Sequence, residues 1–332
     1  MAIHPAKCRF SLLIVAIGVF ILWVALNITE LRGVWATNRG FLALNHFRAS
    51  HEAGIFDPGL MQQSIDSLER AAALNPDNNS IWRTMGYLLL EQGDEDAALA
   101  AWHNSAGIAA ELFKYGVQAE KAGDDAQALA WFQRTVAVAP DMVEAWLRIG
   151  TIYQQRGDLN GAATAFGTGL KATANSSDLI YQLGQIHVYM GESSDWELVR
   201  AYAERAIAED NFLFAPNRYQ AHFLLGEALR NLGREREALA EYTIAADNLP
   251  QHYWSTFRRA ELAWQVNKDA ATAKRYYLAA IDIDPNTKWA YRQFALDLVD
   301  LGQPEEARRY FEKVLSIDPN DHIATQWLRD NP

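Results

Sequence analysis

Apolar residues dominate the chain in two distinct ways. From Phe10 to Thr29 they form one run, FSLLIVAIGVFILWVALNIT, without a charge. After it they recur at three- and four-residue spacing in short segments, the period of amphipathic helices. Glycines punctuate these segments. Gly86, Gly116, Gly150, Gly184 and Gly226 are spaced by 30, 34, 34 and 42 residues, and each is followed seven residues later by Gly93, Gly123, Gly157, Gly191 or Gly233. Pro76, Pro140, Pro250, Pro285 and Pro319 close the units. The pattern predicts helix pairs, with the second glycine at the turn inside each pair.

The two helices of a pair have different signatures. In the first, Trp82-x2-Met85-Gly86 matches Trp146-x2-Ile149-Gly150-x2-Tyr153. In the second, a small residue precedes an aromatic by four: Ala98 and Trp102, Ala128 and Phe132, Ala162 and Phe166, Ala238 and Tyr242, Ala273 and Tyr277, Ala307 and Phe311. Residues four apart share a helix face. The first-helix glycine is expected where a neighbouring helix backbone crosses closely, the aromatic in the gap between successive pairs. Trp82, Trp102 and Trp146 are expected to fill the core.

This pattern resembles the tetratricopeptide repeat (TPR) family over about residues 45–321. The resemblance implies an all-α chain, a right-handed α-solenoid of about eight helix pairs, with residues 322–332 as a capping helix and Trp327 folded back. The first unit, 45–78, is degenerate: Asp57-Pro58-Gly59 serves as its turn and Arg48 stands where the family has tryptophan. The seventh carries Glu261 in place of glycine. The fifth inserts Glu192 to Trp196 and ends in the irregular stretch Asp210 to Arg218.

The N-terminal run spans about 30 Å as a helix, the thickness of a bilayer core. It is read as a transmembrane signal-anchor at 10–29, after a basic tail at 1–9 and before a helical connection at 30–44, with Trp23 and Trp35 near the interface. A cleaved signal peptide is the alternative, although Glu30 and Arg32 separate the run from any cleavage site after Ala36. The short basic tail is expected in the cytoplasm and the repeats outside it.

Charge and chemistry narrow the function classes. The chain of 332 residues has a formal charge of −11, which argues against a nucleic-acid partner. Cys8 is the one cysteine, so a disulfide framework is excluded. The eight histidines form no H-E-x-x-H, and no phosphate loop or nucleophile elbow is present. No catalytic residue, cofactor or metal is expected. The leading expectation is a non-catalytic, membrane-anchored scaffold that binds protein segments. The alternative is an accessory subunit of envelope glycan assembly or protein export machinery. An enzyme with a repeat arm is disfavoured because the repeats consume the chain.

The TPR resemblance also implies a concave surface lined by the first helices. Family position five falls on Arg83, Phe113, Leu147, Tyr181, Phe223, Arg258 and Arg292; position nine falls on Tyr87, Val117, Thr151, Gln185, Glu227, Leu262 and Leu296. No asparagine occupies position nine, so the carboxylate clamp of chaperone adaptors is not expected. Candidate partner-binding residues are Arg83, Tyr87, Phe113, Tyr181, Gln185, Phe223, Arg258, Arg259 and Arg292. Arg258 and Arg292, 34 residues apart, could converge on an acidic, extended or helical segment. Alternatively they pair with Glu261, Asp297 or Asp300.

Overall fold

The computed structural model describes residues 20, 23, 28–52, 57–173, 175–191 and 195–331. The basic tail at 1–9 and nearly all of the apolar run at 10–29 lie outside the described residues. Among the described residues, no helix is long and apolar enough to cross a membrane. The expected transmembrane helix is therefore not part of the fold reported below.

The described residues hold seventeen α-helices and no strand. They divide into two compact units, 1–140 and 141–332. The first contains α1 (Ile28–Glu52), α2 (Pro58–Leu74), α3 (Asn79–Gln92), α4 (Glu95–His103), α5 (Ile108–Lys121) and α6 (Asp125–Val138). The second contains α7 (Val143–Gln155), α8 (Leu159–Thr173), α9 (Ser177–Tyr189), α10 (Trp196–Glu209), α11 (Ala215–Asn231), α12 (Glu235–Asn248), α13 (Tyr253–Asn267), α14 (Ala270–Ile283), α15 (Lys288–Asp300), α16 (Pro304–Ile317) and α17 (His322–Asp330). Consecutive helices pair as α1 with α2 through α15 with α16, and α17 follows as a single helix.

The first pair starts earlier than expected. Helix α1 runs unbroken from Ile28 through the expected connection and into the expected first repeat. Its inner face carries Gly33, Ala36, Gly40, Leu44 and Phe47, all buried. The small residues let α2 approach closely: a Cβ on Gly40 would stand 2.8 Å from Leu68 Cδ2. Asp57 caps α2 by accepting from the amides of Gly59 and Leu60, with Pro58 at the first helical position. Asp57-Pro58-Gly59 is thus the start of α2.

The repeat motif has a definite packing meaning, and it differs from the expected one. In the second, third, fourth and sixth pairs, the aromatic of the second helix lies on the first-helix glycine of its own pair. A Cβ on Gly150 would come within 2.1 Å of the Phe166 ring, and one on Gly86 within 2.2 Å of Trp102. Phe132 meets Gly116 and Tyr242 meets Gly226 in the same way. The close approach is ring to backbone within a pair, and Trp102, Phe132, Phe166 and Tyr242 are fully buried by it. Trp146 is only partly buried and lies over Gly169 of α8. Trp82 is partly buried too, its Nε1 donating to the Pro76 carbonyl at 2.6 Å.

At the inner turns, the second glycine closes the first helix in the left-handed conformation that a side chain disfavours, as at Gly157 with φ +77°. The seventh pair has no glycine there, and Lys268 adopts φ +54°.

The fifth pair breaks the motif. Asp195 caps α10 and Trp196 is its first residue, so the insertion reduces to 192–194, which lie outside the described residues. Val199 and Ala203 occupy the small-and-aromatic positions, and Leu224 of α11 packs over Gly184, 2.9 Å from where a Cβ would stand. The irregular segment after α10 folds back on the start of α9. Leu213 N and Asn217 Nδ2 each donate to the buried Asp178 carboxylate at 2.6 Å, and Asn211 N donates to Ser177 Oγ at 2.9 Å. Phe212 packs into the core, whereas Leu213 and Phe214 are exposed.

Helix α17 closes the chain. Trp327 lies 4.7 Å from Phe311 between ring centroids. Asp321, buried at the N-cap, accepts from Ala324 N, from Arg292 at 3.1 Å and from Lys288 at 3.2 Å. Burial pushes its carboxyl up, but these donors hold it below the usual range.

Candidate partner-binding groove

In the second unit, the first helices α9, α11 and α13 line an open cavity of about 300 Å³. Its apolar wall is Val188, Tyr189, Phe223, Leu224 and Trp254; Gln185, Glu227 and Arg258 supply polar groups. Tyr189 is 55% exposed and Trp254 41%, so each side chain remains accessible to solvent. Phe223 is half-buried, its ring 4.8 Å from His252 and 5.7 Å from Tyr242. An apolar trough with few convergent polar groups suits a peptide segment.

The polar floor is already satisfied internally. Arg258 donates from Nε to Glu227 at 3.0 Å and from Nη1 to Glu261 at 2.8 Å. Glu227 also accepts from the Tyr242 hydroxyl at 2.6 Å. Burial alone would lower the Arg258 pKa; the two carboxylates outweigh it and raise it. Arg258 therefore acts as a strut that ties α11 to α13. Glu261, standing where the five preceding pairs have glycine, is the second anchor of that strut.

The structure brings Gln185, Phe223 and Arg258 together, and it separates the other residues expected with them. Tyr181 is buried, with its hydroxyl donating to Gln220 at 2.9 Å. Leu262, at family position nine, is also buried and belongs to the same apolar cluster. Arg259 is bound to Asp247 at 2.5 Å and lies over the Tyr276 ring. Arg292 pairs with Asp321 and stacks on Trp289 at 4.5 Å. The expected basic ridge is thus three separately neutralised arginines. The lining residues that sequence reasoning missed are Val188, Tyr189, Leu224 and Trp254, which lie outside family positions five and nine.

The first unit has its own cluster. Tyr87 donates to Glu111 at 3.0 Å, Arg83 lies 3.3 Å from the same carboxylate, and Tyr115 reaches it at 3.5 Å. Burial, then Glu111, keep the Tyr87 phenol protonated. Tyr87 also borders a cavity of about 350 Å³ formed with Leu44, Phe47 and Arg48 of α1. Phe113 is partly buried against Phe132 at 5.3 Å. Among the described residues, no cluster of His, Cys, Asp and Glu could hold a metal ion.

Paired helices with an aromatic seated on a glycine, repeated along the chain, define a helical-repeat protein. The family profile described as tetratricopeptide repeat matches residues 59–111, 114–178, 181–253 and 289–321. The chain belongs to the tetratricopeptide repeat family. No curated protein matches it in sequence. Among solved structures it is similar to Pseudomonas aeruginosa PilF, at 11% identity and TM-score 0.57 over 67% of this chain and 97% of that one. PilW, titled a widely conserved type IV pilus biogenesis factor, aligns at 17% identity and TM-score 0.54, over 68% and 100%. The Cut9–Hcn1 hetero-tetramer of the APC/C aligns at 17% identity and TM-score 0.53, over 81% of this chain and 52% of that one. At these identities the likeness is one of fold.

Proposed function

We propose that this protein is a non-catalytic, membrane-anchored scaffold whose second unit holds a partner segment in the α9–α11–α13 groove. The observation that carries the reading is the exposed aromatic pair, Tyr189 and Trp254, flanking an apolar trough of peptide size. TPR proteins bind protein partners, and this trough offers ring faces to apolar anchors. Gln185 and the outer edges of the Glu227–Arg258 pair offer hydrogen bonds to a backbone. The uncharged run at 10–29 supports anchoring. The accessory-subunit alternative draws on the fold shared with PilF and PilW.

A photo-crosslinking amino acid at Tyr189, in the full chain expressed in its own cells, tests the reading. Adducts at Tyr189 that are absent when the same group replaces the exposed Leu278 support a groove ligand. Identical adducts at both positions, or none at Tyr189, would remove it.

A further inference from the structure

Helix α1 turns a second patterned face outward. Ile28, Trp35 and Leu42 recur every seven residues and are 41%, 63% and 56% exposed. Arg32, Arg39 and His46 alternate with them at the same period and are exposed as well. Spacings of four and three keep all six on one side of the helix, over about 27 Å. The inner face is committed to α2 through Gly33, Ala36, Gly40, Leu44 and Phe47, so the outer stripe takes no part in that packing. Val34 adds a further exposed apolar side chain, and the Arg39 guanidinium lies 5.4 Å over the Trp35 ring. Glu30 is the one acidic residue between Ile28 and Ala49, in a chain whose formal charge is −11.

We infer that this face of α1 lies on an anionic lipid surface. Two observations select that occupant. The stripe interleaves a large amphipathic ring and aliphatic side chains with cations, which suits the boundary between acyl chains and phosphate headgroups. Its first residue, Ile28, also belongs to the uncharged run at 10–29, so the stripe continues that run in sequence. Tryptophan favours that boundary, and the two arginines suit phosphate oxygens. The consequence is a fixed orientation: α1 lies along the bilayer and α2 stands on the far side of it. The inference rests on the membrane association proposed above and adds which surface meets the lipid.

The test uses the full chain with Cys8→Ser, spin-labelled at Leu42→Cys or, as control, at Glu69→Cys, an exposed position on α2. It is reconstituted into phosphatidylcholine vesicles with or without one quarter phosphatidylglycerol. Accessibility to oxygen and to a nickel chelate is measured before and after an alkaline carbonate wash. The label at 42 is expected to favour oxygen in anionic vesicles, and to lose that preference with Arg32→Glu and Arg39→Glu; the label at 69 stays nickel-accessible. Carbonate release alone would remove the anchor and leave the docking face standing. Nickel accessibility at 42 in retained protein would overturn the face and leave the anchor. Spin–spin broadening at 42 would mark a second copy as its occupant and overturn the inference. No vesicle association in the first measurement would overturn both.

Discussion

The Tyr277 hydroxyl on α14 donates to Oδ2 of Asp297 on α15 at 2.7 Å, and Asp297 is only 4% exposed. Gln293 donates to the other oxygen at 3.1 Å. Burial pushes the Asp297 pKa up to about 6, against the pull of these two donors, and Asp300 and Glu261 add to the rise. The folded state therefore holds this proton more tightly than the unfolded chain does. Stability from this group is present below about pH 4 and is lost as the pH rises through about 6. Asp297→Asn should be more stable than wild type at pH 7.5 by about 2 kcal/mol, and the advantage should vanish by about pH 4. His252, whose pKa burial lowers, acts in the opposite sense, so the quantity to compare is the wild-type-to-variant difference in urea midpoint at each pH. A constant difference across that range would contradict the assignment.

The seat of Phe166 on Gly150 makes a paired prediction. Phe166→Ala should cost about 3–5 kcal/mol through the cavity it leaves. Gly150→Ala should cost about 1–3 kcal/mol by driving the ring off its seat. Coupling in a repeat array is between neighbours, so amide exchange should rise first in α7, α8 and α9. Exchange confined to α15–α17 would be incompatible with the observed packing.

Arg258→Met should destabilise the second unit by about 2 kcal/mol, because Glu227 and Glu261 would be left facing each other without their cation. Tyr189→Ala, at an exposed position, should change stability by less than about 0.5 kcal/mol. Thermal melts of the two variants check both figures. Groove affinity is therefore better probed at Tyr189 and Trp254 than at Arg258, whose loss would alter the groove itself.

Lys268 holds the left-handed conformation that glycine supplies in other pairs. Lys268→Gly should gain about 0.5–1 kcal/mol, less the contact of its ammonium with the Trp264 ring at 4.9 Å. A lower melting temperature for this variant would show that the ring contact outweighs the backbone strain.

The helix pairs were readable because Gly-x6-Gly and Ala-x3-aromatic each serve one local geometric need, a turn or a ring seat. The start of α1 was not. Its apolar residues lie on both faces, Gly33 and Gly40 inward and Trp35 and Leu42 outward, so the helical period is obscured just where the first pair begins. The groove was half legible. Family positions five and nine fall on Gln185, Phe223, Glu227 and Arg258 of the cavity lining, but Tyr181 is buried in the repeat where Ala203 replaces the usual aromatic and Leu224 fills the seat over Gly184. Ion-pair partners such as Asp321 for Arg292 depend on the turn before α17, which a position-by-position correspondence does not contain.

Asp178 sets a limit on how this chain can be rearranged. Repeat arrays generally behave as strings of interchangeable parts, from which a unit can be excised or duplicated at any phase. Here the carboxylate at the start of α9 and the segment 210–217 that satisfies it belong to opposite ends of one repeat. An excision that removes one end and spares the other strands either a buried anion or a loop without its anchor. The stretch from Ser177 through Asn217 is thus a single cassette: an engineered deletion or duplication keeps these contacts only when it moves both ends together.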